Sequence, residues 1–285
     1  MQAPQPQPQQ PPVPPQVPAE AGREAPTGLG QATKGQPIIE CEGVKKAFGG
    51  TKVLDGITCT IPADLITVIM GPSGTGKSVL LRHFVGLLQP DAGDVRVNGQ
   101  SVPKLNEEEL LALRRGMGML FQDGALFSSM NLFDNVAFPL RQHTKKSEKE
   151  VREVVMTRLK EVGLAGAEKK MPNELSGGMR KRAGFARALV MEPKILLFDE
   201  PDSGLDPVRT ALLCELIKDI QRKYSATAII ISHDTKAVFE VADHVVLLHS
   251  GKVVDQGPKD EIKNSSKDFT KQFIRGAIHG PLAMD

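Results

Sequence analysis

Residues Gly71, Pro72, Ser73, Gly74, Thr75, Gly76, Lys77 and Ser78 stand in one unbroken run and match the pattern GxxxxGK[ST]. Glycines at these spacings let backbone N–H groups close on phosphate oxygens. A helix opening at Lys77 would add its N-terminal dipole, with Val79 next in line. In such a loop the lysine reaches the β- and γ-phosphates and the Ser78 hydroxyl can bind Mg²⁺. A second constellation, Asp199-Glu200, follows four apolar residues at 195–198. Two carboxylates at the end of a buried strand suit a magnesium ligand in Asp199 and a general base in Glu200 that polarises an attacking water. A third, Leu175-Ser176-Gly177-Gly178-Met179, opens a basic helix. Hydroxyl, backbone N–H groups and dipole together make a second anion site, although an ordinary Ser N-cap looks the same in isolation. One chain does not need two phosphate loops for one nucleotide, so the second makes sense if it faces the nucleotide of another copy.

These residues need elements to hold them. Residues 65–70 (LITVIM), 195–200 (ILLFDE) and 227–232 (TAIIIS) are short continuous apolar runs, which predicts buried parallel strands. Helices are predicted at 78–88, 107–115, 147–162, 176–191 and 208–224, with a short one at 236–241. In the third of these, Val151, Val154, Val155, Leu159 and Val162 fall on one face. Alternating apolar residues before 65 predict two β-rich runs, and residues 91–98 a strand pair turning at Asn98-Gly99. The run HVVLLHSGKVV reads as a hairpin. Strands alternating with helices mean an α/β fold around a mostly parallel sheet.

Composition narrows the class. The chain has 285 residues, and 36 Lys plus Arg against 34 Asp plus Glu give a net charge of +2. That balance argues against a nucleic-acid binder built on bulk charge. Ten of the 21 prolines lie in residues 1–37, a Gln/Pro/Ala mix that reads as a disordered or polyproline II tail. Cys41, Cys59 and Cys214 form no CxxC, which fits a reducing, cytosolic setting. No apolar run reaches the roughly 18 residues of a transmembrane helix, and the N-terminus lacks a secretory signal's apolar stretch. Short basic runs (45–46, 145–146 and 180–182) read as solvated faces, with contact to anionic lipid heads as the other reading.

The ordered series Phe48, Lys77, Gln122, Ser176, Glu200, Asp206 and His233 resembles the ATP-binding cassette (ABC) family over about residues 38–257. LSGGM stands where that family has LSGGQ, Gln122 where it has the Q-loop glutamine, and residues 203–206 resemble its D-loop. His233 resembles its switch histidine, and Phe48 its adenine-stacking aromatic. Residues 118–146, 173–189 and 199–208 are similar to the ATPases of MCE-type lipid transporters, with Met179 in place of Gln and Asp202 after Glu-Pro as in that subgroup. HTKK and the ending HGPLAMD lean towards the mycobacterial-type branch. Departures from the wider family are the missing Tyr hydroxyl at Phe48, Asp64 in a turn where Gly is usual, and the missing amide at Met179.

The resemblance implies a P-loop NTPase core of the ABC ATPase type. With it come an antiparallel β subdomain, an α-helical signature subdomain at about 123–192, and a C-terminal extension (258–285) that contacts the second subunit. It implies ATP and Mg²⁺ as cofactors, with nucleotide bound by Phe48, residues 71–79, Ser176, Gly177, Gly178, Met179 and Asp206. It further implies a metal held by Ser78, Gln122 and Asp199, and catalysis by Glu200, His233, Lys77 and Gln122. The implied assembly is a homodimer sandwiching two ATPs, peripheral on the cytoplasmic face of the inner membrane. Its partners are a permease and MCE-domain lipid-carrying proteins, with no nucleic acid. The alternative is a soluble ABC-type ATPase coupled to no lipid transporter; a nucleotide-binding scaffold and a P-loop kinase or GTPase fit the residues less well.

Overall fold

A computed structural model describes residues 33–232 and 237–281. The N-terminal tail up to residue 32, His233 and the final four residues lie outside them.

Two long strands, β1 (Pro37–Phe48) and β2 (Thr51–Pro62), pair antiparallel. With β4 (Ala92–Val97) and β5 (Gln100–Ser101) they form a four-stranded sheet in the order β2-β1-β4-β5. The second sheet is built on β3 (Ile66–Met70), β6 (Met117–Leu120), β7 (Ile195–Asp199), β8 (Thr227–Ile231), β9 (His244–His249) and β10 (Lys252–Pro258). Its order is β10-β9-β3-β8-β7-β6, all parallel except β10. Helices α1 (Lys77–Phe84), α2 (Glu107–Arg115), α3 (Leu132–His143), α4 (Glu148–Glu161), α5 (Gly177–Leu189), α6 (Pro207–Tyr224) and α7 (Ala237–Val241) complete the αβ core.

The continuous apolar runs are explained by burial on both faces of this sheet. Successive side chains point to opposite faces. Leu196, Phe198, Ala228 and Ile230 therefore join a core shared with α3–α6, while Ile195, Leu197, Ile229 and Ile231 face a second core shared with β1, β2 and α1. Helices α3, α4 and α5 pack on one another. In α4, Val151, Val155 and Leu159 are fully buried, and Ser147 closes a capping box with Glu150.

Three local outcomes differ from, or extend, the sequence reading. Helix α1 ends at Phe84 rather than 88, because Gly86 turns at φ 65° and Arg114 of α2 captures the Val85 and Gly86 carbonyls. Strand β6 and helix α3 carry no clear sequence signal: β6 is MGML, and α3 contains Pro139. Asp64 does adopt the left-handed turn expected of it, at φ 57°.

The C-terminal segment is ordered as α8 (Lys259–Lys263) and α9 (Asp268–Arg275). Phe269, Phe273 and Ile274 pack on the chain's own core, and Asp255 of β10 accepts hydrogen bonds from Ser265, Lys267 and Thr270. From Gly276, in the left-handed conformation at φ 64°, to residue 281 the chain is exposed.

Candidate nucleotide site

Strand β8 lies between β3 and β7, so the loop after β3 and the end of β7 are one strand apart at the same sheet edge. Ile69 pairs with Ile231, and Ile231 with Asp199. That register carries the Ser78 hydroxyl to 2.7 Å from Asp199 Oδ1. Both are hard oxygen donors of the kind Mg²⁺ takes.

The loop 71–76 is glycine-dependent at three places: Gly74 turns at φ 78°, and Gly71 and Gly76 are also closely packed. A Cβ on Gly71 (φ 150°) would lie 2.1 Å from the Leu248 carbonyl oxygen, and one on Gly76 (φ 91°) 2.7 Å from Leu54 Cδ2. Thr75 Oγ1 donates to the Pro72 carbonyl at 2.9 Å. Lys77 Nζ donates to the Gly71 and Pro72 carbonyls at 2.9 and 2.8 Å, so its ammonium is folded back across the loop. Burial pushes the Lys77 pKa down, while Glu200 and Asp199 oppose the shift. Hydrogen bonds from a cation to charged oxygens are stronger than those to neutral carbonyls, so an anion at this loop would compete for the ammonium. Ser73 is exposed, and Val79 of α1 is packed against the second core.

Glu200 follows Asp199 in a left-handed conformation, φ 48°, with its N–H donating to the Ile231 carbonyl at 3.0 Å. Such backbone strain on a non-glycine residue is concentrated at functional sites. Gln122, just past β6, donates to the Ser203 hydroxyl at 3.0 Å. The Phe48 ring, at the end of β1, is 46% exposed with the Lys46 ammonium 5.6 Å from its centre.

The third constellation lies elsewhere. Among the described residues no hydrogen bond or ion pair joins residues 176–179 to residues 71–78. Ser176 caps α5, its hydroxyl accepting from the Met179 N–H at 3.3 Å. Gly178 rests against Leu205, its Cβ position 3.7 Å from Leu205 Cδ2, and the Cβ position of Gly177 has only Arg180 Nη2 near it, at 3.9 Å. Asp206 caps α6, accepting from the Arg209 N–H at 3.0 Å and pairing with its guanidinium.

Sequence reasoning missed several residues that support the site. The basic run 180–182 is not a solvated face. Arg180 donates to the Leu175 carbonyl, Arg182 to Val162 and Gly163, and Lys181 to Pro201 and Ser203. Asn135, fully buried in α3, accepts from the Phe127 N–H and donates to the carbonyls of Phe127, Met130 and Asn131. It thereby shapes the loop after Gln122. Arg187 of α5 donates to the Gly124 and Ala125 carbonyls of the same region. None of these pairings has a local sequence signal, because each partner is distant in the chain or is a backbone atom.

Comparison with known proteins places the chain. The family described as "ABC transporter" matches residues 54–203. The chain is 49% identical over 256 residues to the "Probable ribonucleotide transport ATP-binding protein mkl" of Mycobacterium tuberculosis, covering 89% of this chain and 71% of the relative. It is 40% identical over 245 residues to the "Intermembrane phospholipid transport system ATP-binding protein MlaF" of Escherichia coli, covering 86% and 91%. Among solved structures, cbiO1 of Clostridium perfringens, part of the ABC transporter complex cbiONQ, superposes with a TM-score of 0.74 at 32% identity, covering 84% of this chain and 95% of that one. The dimeric cassette MJ0796 in a post-hydrolysis state with ADP and Pi gives a TM-score of 0.72 at 28% identity, covering 78% and 98%.

Proposed function

The chain belongs to the ABC transporter family of ATP-binding subunits, and from that premise we propose that it hydrolyses ATP to drive a lipid transporter of the cell envelope. The hydrolytic reading is carried by the meeting of Ser78 and Asp199 at 2.7 Å beside the Lys77 loop. The lipid reading is supported by similarity to MlaF, whose name specifies phospholipid transport, along 86% of this chain. The name of mkl specifies ribonucleotides instead, so the cargo is where experiment must decide.

In the proposed cycle, backbone N–H groups of residues 71–76 hold the phosphates, and Lys77 leaves the Gly71 and Pro72 carbonyls for the β- and γ-phosphates. Phe48 stacks on the adenine. The oxygens of Ser78, Asp199 and Gln122 suit Mg²⁺, which when bound neutralises phosphate charge. Glu200 takes a proton from the attacking water, and His233, outside the described residues, orients it. Residues 176–179 of a second copy close on the γ-phosphate from the far side with the N–H groups at the start of α5 and the Ser176 hydroxyl, and Asp206 lies at the same face. This explains why residues 176–179 stand apart from residues 71–78 within one chain. Hydrolysis leaves two anions whose repulsion opens the dimer.

Among the described residues no helix is long and apolar enough to cross a membrane. We place the subunit peripherally on the cytoplasmic face of the inner membrane, joined to permease subunits and MCE-domain proteins. Two experiments test the proposal. Glu200→Gln should bind ATP, form a stable dimer and lose turnover, whereas Lys77→Ala should lose ATP binding; normal turnover by Glu200→Gln sinks the site assignment. Mild-detergent capture of the tagged protein from native membranes should recover multi-span permeases with MCE-domain proteins. Recovery of ribosomes or nucleic acid overturns the transport reading and leaves the ATPase chemistry intact.

A further inference from the structure

Lysine is seldom buried without a partner, yet Lys181 on the second turn of α5 is only 5% exposed. Its ammonium donates to the Pro201 carbonyl at 2.9 Å and to the Ser203 carbonyl. Both acceptors belong to the segment that follows Glu200. Other parts of the site converge on the same residues. Gln122 donates to the Ser203 hydroxyl at 3.0 Å, and Ser232, the neighbour of His233, donates to Asp202 Oδ2 at 2.8 Å. The segment is folded tightly, with Ser203 N–H on the Glu200 carbonyl and Leu205 N–H on the Asp202 carbonyl. Leu205 in turn touches Gly178. Burial pushes the Lys181 pKa down while Asp202, Asp123 and Glu200 oppose the shift, so the ammonium sits in the field of the catalytic edge.

We propose that Lys181 is a positioning residue for ATP hydrolysis: it ties the backbone of residues 201–203 to helix α5, so that the placements of Ser176–Met179 and of Glu200 are set together. The physical consequence is a link between sites. Residues 176–179 of a copy close on the nucleotide held by its partner, whereas Glu200 serves the copy's own nucleotide. A rigid tie from α5 to residue 201 therefore makes closure at one nucleotide felt by the general base at the other. A lysine suits the task because one ammonium carries three donors and can hold two carbonyls at once.

The inference rests on the assignment of Glu200, and the test separates the two. In the full-length protein, Lys181→Met keeps the stem and removes the donors, and Lys181→Gln keeps a shorter donor. A small misplacement of the base should lower kcat roughly 100-fold in the Met variant and less in the Gln variant. KM for ATP should stay within about threefold, because nucleotide binding does not pass through Lys181. ATP-dependent dimerisation, measured with each change placed in the Glu200→Gln protein, should likewise be unchanged, because residues 176–179 stay anchored by the Ser176 cap of α5 and by Arg180 on the Leu175 carbonyl, and the tie only passes their position on to residues 201–203. A folded Lys181→Met protein with kcat within about threefold of the parent overturns the proposal. So does a loss that appears in KM or dimerisation instead of kcat, or failure of both variants to fold, which would make Lys181 a folding element only. If Glu200→Gln itself turns over ATP, the site assignment fails; if it is inactive while Lys181→Met is active, only this inference fails.

Discussion

Gly177 offers the sharpest test of what the signature segment is for. It is the first residue of α5, is absent from the residues with positive φ, and the nearest atom to an added Cβ is Arg180 Nη2 at 3.9 Å, the end of a flexible side chain. Nothing in the fold requires glycine there. Alanine is favoured over glycine by up to about 1 kcal/mol in a helix interior and by roughly half of that at a helix start. Gly177→Ala should therefore raise the melting temperature by about 1–2 °C or leave it alone. Function should respond in the opposite direction. A phosphate that approaches the N–H groups of residues 177 and 178 needs the space a methyl group would fill. Losing two charge-assisted hydrogen bonds costs about 3–6 kcal/mol, or at least about 100-fold in ATP-dependent dimer formation. Gly71→Ala is the control: its Cβ would meet the Leu248 carbonyl at 2.1 Å, at φ 150°. That variant should lose about 3 kcal/mol or more and melt roughly 6–12 °C lower. The assays are calorimetry, steady-state ATPase activity, and sedimentation with ATP in the Glu200→Gln background. Parental turnover by Gly177→Ala, or a melting drop as large as that of Gly71→Ala, refutes the reasoning.

Three further outcomes follow from the geometry. Asn135→Ala orphans the Phe127 N–H and the Met130 carbonyl; it should cost about 3 kcal/mol and lower the melting temperature by roughly 6–12 °C, while ATP affinity is unchanged. For Asp255, burial works to raise the carboxyl pKa, but hydrogen bonds from Lys267, Ser265 and Thr270 outweigh it and hold the group below the usual carboxylate range. Its contribution is therefore present above the unfolded value near 3.8 and lost as pH falls through the lower folded value. Asp255→Asn should melt about 3–6 °C lower at neutral pH, with the gap closing in acid, as calorimetry across pH will read. Deleting from residue 276 onward should leave the monomer's melting temperature intact, because the side chains of residues 276–281 are exposed. Deleting from residue 268 removes the buried contacts of Phe269 and Phe273 and should lower it.

Much of the candidate site was legible because its signals are local. The phosphate loop is one contiguous motif, and β3, β7 and β8 show as short apolar runs because both faces of the sheet are covered. Helix α2 forms where it is expected, at 107–115, and a capping box of Asn106 with Glu109 closes its start. Helix α3 did not, since Pro139 interrupts its pattern and Asn135, its most constraining residue, acts on backbone atoms up to eight positions away. Strand β6 is too short to show a period, and its Gly118 is required only because the Ala188 carbonyl of α5 comes within 2.4 Å of the Cβ position.

The sequence by itself determined the pattern proposed to carry the chemistry: a glycine-rich loop, a pair of carboxylates and a second N–H-rich helix start, all set by residue type and short spacing. It also determined that the carboxylates end a buried strand. Only the tertiary structure decided that β8 separates that strand from β3 and so brings Ser78 to Asp199. The tertiary structure likewise turned the basic run 180–182 inward, because the carbonyls that receive Lys181 and Arg182 lie on segments that pack beside α5, some 20 residues away in the chain. Charge alone marks such residues for water, and the backbone carbonyls that accept from them offset the cost of taking their charges out of it.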